Sequence, residues 1–107
     1  MSYKYYTVFM SQSGTDAPTV RDIDNTIGRV LLARTGIGTY TLTKTNAFTL
    51  NKTVPKKDSY IDTDGNKMTL EHTDINTMTL KTYAAVDDTV LADSVLSDQY
   101  LTIQVFN

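Results

Sequence analysis

Residues 39–45 read TYTLTKT. Threonine fills every odd position, while Tyr40 and Leu42 share the even row with Lys44. A period of two belongs to a strand with one wet face and one dry face. The same bias runs through the chain. Nineteen of its 107 residues are Thr, and only one of twelve acidic residues is Glu. β-branched Thr suits a pleated, half-exposed surface, whereas helix surfaces favour Glu, Lys, Gln and Ala. The expectation is an all-β chain with neutral polar outer faces.

Just upstream, RVLLART (29–35) reads as a partner strand, with Gly36 and Gly38 permitting a tight hairpin. At the start, YKYYTVFMSQ (3–12) places Tyr3, Tyr5, Thr7 and Phe9 on one face and Lys4, Tyr6, Val8 and Met10 on the other. Both faces are apolar near the centre, which predicts burial on both sides or an interface. SGTDAPT (13–19) is a loop, and VRDIDNTIG (20–28) has Val20, Ile23 and Ile27 at helix-like spacing. One helical turn or an irregular connection, closed by Gly28, is expected there.

Downstream, AFTLNKTV (47–54) is a short apolar piece, and SYIDT (59–63) leads into an Asp64-Gly65-Asn66 turn. KMTLEHT (67–73) and TMTLKTYAAV (77–86) read as strands around a turn at TDIN (73–76). Residues 87–98 hold one brief strand around Thr89–Leu91, with Asp87-Asp88 expected in a turn. QYLTIQVFN (99–107) sets Leu101, Ile103 and Val105 against Tyr100, Thr102, Gln104 and Phe106.

Short strands with turn signals between them predict an antiparallel β-sandwich, Ig-like or jelly-roll-like, as one domain over 1–107. Val8, Met10, Leu32, Tyr40, Leu42, Phe48, Leu70, Leu80, Ile103 and Val105 are the expected core. The first and last strands should lie inside sheets, with mutual pairing one way to achieve it.

Cysteine is absent, which excludes a disulfide framework and fits folding in a cytosol. No stretch is long and apolar enough to span a membrane or to act as a signal peptide. Residues 1–57 carry eight Lys/Arg and three Asp (+5); residues 58–107 carry two Lys and nine Asp/Glu (−7). Either the halves neutralise each other within the fold, or basic and acidic faces meet neighbours in an array. The basic residues are too thinly spread for nucleic acid.

Catalytic machinery is not legible. His72 is the single histidine, and on a strand Glu71 points away from it. Asp62, Asp64, Gly65 and Glu71 fall near EF-hand spacing, but Tyr60 stands where an oxygen ligand is required. Ser11, Ser13, Ser94 and Ser97 sit in no nucleophile motif. Gly36-Ile37-Gly38 precedes a strand, not the helix a phosphate loop needs. No enzyme, cofactor or metal is expected. Tyrosine is the enriched aromatic, with seven copies, and it suits surfaces that bury a ring while the hydroxyl stays wet. Tyr3, Tyr5, Tyr6, Tyr100 and Phe106 are the candidate interaction residues.

Four segments carry a resemblance: SQSGT (11–15) with Ala17-Pro18, NTIG (25–28), ARTGIGTY (33–40) and LTIQVF (101–106). Together they resemble small virion proteins and domains of tailed phages of Bacteroidetes, including crAss-like phages. The resemblance implies a non-enzymatic structural protein: a capsid decoration or auxiliary subunit, or a head- or tail-fibre module. Its partners would be the major capsid protein, other virion subunits and copies of itself. It would be made in the host cytoplasm and reside in the virion. It implies no catalytic residues. The second functional class is a module that binds glycans or a host surface.

Overall fold

The computed structural model describes residues 3–55, 59–61, 67–84, 87–96 and 99–106. The strands are β1 (Tyr3–Ser11), β2 (Thr19–Asn25), β3 (Leu31–Gly36), β4 (Thr39–Thr43), β5 (Thr53–Pro55), β6 (Ser59–Ile61), β7 (Lys67–Asp74), β8 (Thr77–Ala84), β9 (Asp87–Leu91) and β10 (Gln99–Phe106). They form two antiparallel sheets packed face to face, an all-β sandwich. One sheet has the order β2-β1-β10-β5. The other runs β3-β4-β8-β7-β6, with β9 also on β8.

The core comes from the inward rows of both sheets. Tyr6, Val8 and Met10 of β1 and Leu101, Ile103 and Val105 of β10 meet Tyr40 and Leu42 of β4, Met68 and Leu70 of β7, and Met78 and Leu80 of β8. Phe48 and Leu96 close the core from the connecting segments. The expected core is therefore buried except for Leu32, which packs against it half-exposed.

The terminal strands pair along their whole length, from Tyr3 opposite Phe106 to Met10 opposite Gln99. This explains why both are apolar on both faces: each is a central strand of its sheet. Residues 20–28 are not helical. Val20 pairs with Met10 in edge strand β2, and a bulge at Thr7/Val8 leaves Ile23 on the surface. The Asn25 side chain then closes a turn by accepting the N–H groups of Ile27 and Gly28 at 3.0 Å each. Backbone donors captured in this way leave no role for a helical turn. Asp87-Asp88 also differ from expectation, because they open β9 with Asp87 opposite Ala84. The Asp64-Gly65-Asn66 turn and the acidic residues Asp62 and Asp64 lie outside the described residues.

Where the β4–β8 ladder ends, a junction ties the β3–β4 turn to β8 and to the segment after β9. Strand β4 leaves the edge of β8 at Gly38, and the segment after β9 takes over at Ala92. The Thr82 peptide bridges both: its N–H donates to the Gly38 carbonyl and its carbonyl accepts from Ala92, each at 2.9 Å. The Thr82 hydroxyl donates to the Ala92 carbonyl at 2.6 Å, which satisfies a fully buried polar side chain. Asp93 locks the junction. Its carboxylate accepts from Arg34 Nε (3.2 Å) and the same guanidinium's Nη2 (2.7 Å), from the Gly38 N–H (3.0 Å) and from the Tyr40 hydroxyl (2.8 Å).

These donors, the Arg34 guanidinium first, hold the Asp93 carboxyl well below the usual carboxylate range. A depressed folded-state pKa adds stability above the unfolded value of ~3.9, and that stability fades as pH falls toward the folded value. Asp93→Asn should therefore lower the urea midpoint at pH 7, with the gap to wild type narrowing below about pH 4. A gap of constant size from pH 7 to 2.5 would mean that charge at Asp93 contributes nothing.

Candidate functional site

Strand alternation fixes what each sheet shows to solvent. The outer face of the β3-β4-β8-β7-β6 sheet carries Thr39, Thr41 and Thr43 beside Thr77 and Thr79, in register as Thr41–Thr79 and Thr43–Thr77. The Thr73 and Thr79 hydroxyls hydrogen-bond to each other, and Lys81 lies 3.7 Å from Glu71. This face is dominated by Thr hydroxyls, with the exposed Leu31 beside Thr43 and the Tyr83 ring under Lys67 at its margins.

The outer face of the other sheet is aromatic. Odd residues of β1 and even residues of β10 fall side by side: Tyr3 with Phe106, Tyr5 with Gln104, Thr7 with Thr102, and Phe9 with Tyr100. Tyr3 packs edge-on against Tyr5 at 4.8 Å between ring centroids and against Phe106 at 5.7 Å. At the other end Phe9 packs edge-on against Tyr100 at 5.8 Å, and the Arg21 guanidinium lies 4.8 Å from the Phe9 ring centre. Between the two clusters the Thr7 and Thr102 hydroxyls hydrogen-bond at 3.3 Å. These short side chains are buried beneath the taller rings, so they form the floor of a shallow trough. Tyr3, Tyr100 and Val54, the residue opposite Gln104, stand exposed along it. Hydrogen bonding with Tyr3, then loss of hydration, pushes the Tyr5 hydroxyl up to about 12, so the phenol is neutral at physiological pH.

Four of the five candidate interaction residues, Tyr3, Tyr5, Tyr100 and Phe106, thus share one surface. Tyr6 does not. It alternates with Tyr5, points into the core and is 1% exposed, so it has no surface to give a partner. Its buried hydroxyl has no hydrogen-bond partner among the described residues. Burial, and to a lesser degree the charge of Asp22, pushes that hydroxyl up to about 12. Tyr40 is likewise raised to about 12, by burial and its bond to Asp93. Such groups add stability below the unfolded Tyr value of ~10, and it is lost as pH rises toward 12. Tyr6→Phe should match or exceed the wild-type melting temperature at pH 7, because it removes an unpaired buried hydroxyl. It should also lose stability less steeply between pH 10 and 12. A clear drop at pH 7 would show that the hydroxyl makes a stabilising bond.

Phe9 and Arg21 were not among the sequence candidates. The signal was available for Phe9, since it shares the odd row of β1 with Tyr3 and Tyr5. Arg21 depends on the bulged register of β2, which periodicity cannot supply.

Among the remaining chemical suspects His72 and Ser94 have structural roles, and Ser97 lies outside the described residues. His72 is half-buried, and its Nε2–H donates to the Phe48 carbonyl at 2.7 Å, fastening the 44–52 segment to β7. Ser94 accepts the Gly14 N–H at 2.8 Å, while its own N–H donates to the Gln12 side chain at 2.7 Å. Gln12 also donates to the Gly14 and Asp16 carbonyls, closing the 13–16 turn. No group of three His, Cys, Asp or Glu that could hold a metal occurs among the described residues. No described helix is long and apolar enough to cross a membrane.

No family model, curated protein or solved structure matches the chain. The four segments behind the phage resemblance all sit at turns, the Asp93 junction or β10. Tyr3, Tyr5, Phe9 and Tyr100 of the aromatic trough lie outside these four segments.

Proposed function

We propose that the protein is a non-enzymatic virion structural subunit, an auxiliary or decoration protein that docks on the capsid surface and on neighbouring virion subunits through its aromatic trough. The observation that carries the docking reading is the contrast between the two outer faces. One is mostly threonine, with Leu31 and Tyr83 apart from each other; the other gathers Tyr3, Tyr5, Phe9, Tyr100 and Phe106 around a hydroxyl floor. Exposed aromatic rings with wet hydroxyls gain most from burial against another protein, and such residues are enriched where interfaces concentrate their energy. The virion setting rests on the resemblance.

The edges of the aromatic sheet favour docking by its face over strand addition. Edge strand β2 carries Arg21, Asp22 and Asp24 and a bulge, and edge strand β5 is three residues long and ends in Pro55. Charges, bulges, short length and Pro are the features that blunt an edge.

Electrostatics has a secondary part. The Arg34–Asp93 pair joins the basic half of the chain to the acidic half, so some of the +5/−7 asymmetry is neutralised internally. Exposed charges are screened over ~8 Å at physiological salt, so they should set orientation and association rate more than affinity.

Recombinant protein added to particles lacking it should rebind, more slowly as salt rises. Replacing Tyr100 and Tyr3 together by Ala should weaken rebinding at least tenfold while the fold persists. Absence of the protein from purified virions would sink the assignment, as would full rebinding by the double variant.

A further inference from the structure

At the end of the sandwich where β1 begins and β10 finishes lies an open cavity of about 250 Å³, and its charge is one-sided. Lys4, Lys44 and Lys52 all line it, and no carboxylate among the described residues does. The polar side chains of Thr45, Asn46 and Thr49 complete the wall. None of these six side chains has a hydrogen-bond or ion-pair partner among the described residues. Ile27, Ala47, Val105 and Phe106 supply the apolar part of the lining.

The backbone that presents these groups is fixed at several points. The Lys44 N–H donates to the Asn76 carbonyl at 2.9 Å, and the Asn46 N–H donates to the Asn76 side chain at 2.8 Å. Asn46 and Asn51 adopt left-handed backbone, with φ of 57° and 65°, turning the segment across the end of the sandwich. The Phe106 N–H donates to the Lys52 carbonyl at 2.7 Å, which draws Lys52 against β10. Gly28, at φ +106°, leaves room for Lys44. A Cβ there would lie 3.2 Å from Lys44 Cε and 3.5 Å from its Nζ. The lysines are therefore gathered by the fold, from β1 and both ends of one anchored connection.

The geometry points to a binding site for an anionic sugar unit, a hexose bearing a carboxylate or a sulfate. Three lysines around one concavity attract an anion, and concavity strengthens the field. Bare phosphate or sulfate would use the ammoniums but leave Phe106 and the hydroxyl and amide groups without a role. A single acidic side chain would likewise leave most of the polar wall unpaired. A sugar ring uses all three parts. Its acid meets the lysines, its hydroxyls pair with Thr45, Asn46 and Thr49, and its C–H face lies against Phe106. Ligand sites commonly join an apolar surface to a few convergent polar groups in this way. The site is separate from the aromatic trough except at Phe106, so docking and sugar binding can be tested independently.

The test is a titration of the ¹⁵N-labelled full chain, followed by amide shifts. The probes are methyl glucuronide, glucose 6-sulfate, neutral methyl glucoside, inorganic sulfate and a hexaglutamate peptide. One or both anionic sugars should shift the amides of Lys44, Asn46, Lys52 and Phe106, and the two probes distinguish carboxylate from sulfate as the group recognised. Affinity should fall at least tenfold in Lys44→Gln/Lys52→Gln, with the melting temperature unchanged, and should weaken as salt rises. Tyr100→Ala should leave sugar binding intact. The inference fails if neither anionic sugar shifts these amides, if the neutral glucoside binds equally, or if inorganic sulfate or the peptide binds as tightly as the sugars.

Discussion

Removing residues 100–107 should abolish the cooperative thermal transition. The deletion takes away β10, which pairs with β1 on one side and β5 on the other, so the sheet loses its continuity and not merely an edge. Leu101, Ile103 and Val105 leave the core with it. Burial of each such side chain contributes ~1.5–3 kcal/mol, against a total stability of ~5–15 kcal/mol for a typical domain. The truncated chain should be insoluble, or soluble with dye-binding apolar surface and no sharp near-ultraviolet signal. Ile103→Ala is the graded control, since one cavity should cost ~2–5 kcal/mol and leave a cooperative, weaker fold. A truncation that melts cooperatively within a few degrees of wild type would show that β10 is dispensable.

Gly38→Ala should be the most damaging small substitution. A Cβ at Gly38 would meet the Thr82 carbonyl oxygen at 2.6 Å and the Ala92 nitrogen and oxygen at 2.7 and 2.9 Å. All three atoms are backbone, held by the hydrogen bonds of the β4–β9 junction, so none can swing aside. Gly38 also has a φ of +57°, which a residue with a Cβ adopts at a cost. Strain and overpacking together should cost about 3 kcal/mol or more. That should appear as a fall in melting temperature of roughly 10 °C or more. Two residues away, a Cβ on Gly36 meets nothing within 4 Å. Gly36→Ala should therefore stay within about 0.5 kcal/mol of wild type. Equal effects at the two glycines would overturn the crowding argument.

Local alternation made the strands legible. TYTLTKT needed only a period of two, and so did the paired apolar faces of the termini. Sequence failed where a side chain or a distant strand decided the outcome. Val20, Ile23 and Ile27 mimic a helical stripe, but Asn25 captures the Ile27 and Gly28 amides and β1 captures the rest of the segment. The Asp93 junction draws on Arg34, Gly38 and Tyr40, more than fifty residues upstream, and no motif announces it. For the site, the odd row of β1 pointed to Tyr3 and Tyr5. The same alternation argues against Tyr6, which composition alone had grouped with them. The three-lysine cavity was invisible, because Lys4, Lys44 and Lys52 converge only once the last strand has drawn the Lys52 backbone against it.

The pairing of β1 with β10 also sets an order of events during synthesis. The hydroxyls of Thr7 and Thr102 meet across 95 positions of sequence. At ~5–20 residues per second, β1 waits roughly 5–20 s for its partner to be made. The other sheet contains hairpins that can close as soon as they emerge, while β1, apolar on both faces, has only the charged edge strand β2 beside it. Non-local closure of this kind slows folding and exposes unpaired strand to neighbours. Folding during synthesis would thus depend on the interval between β1 and β10, and synonymous changes that slow translation ahead of β10 should raise the fraction lost to aggregation.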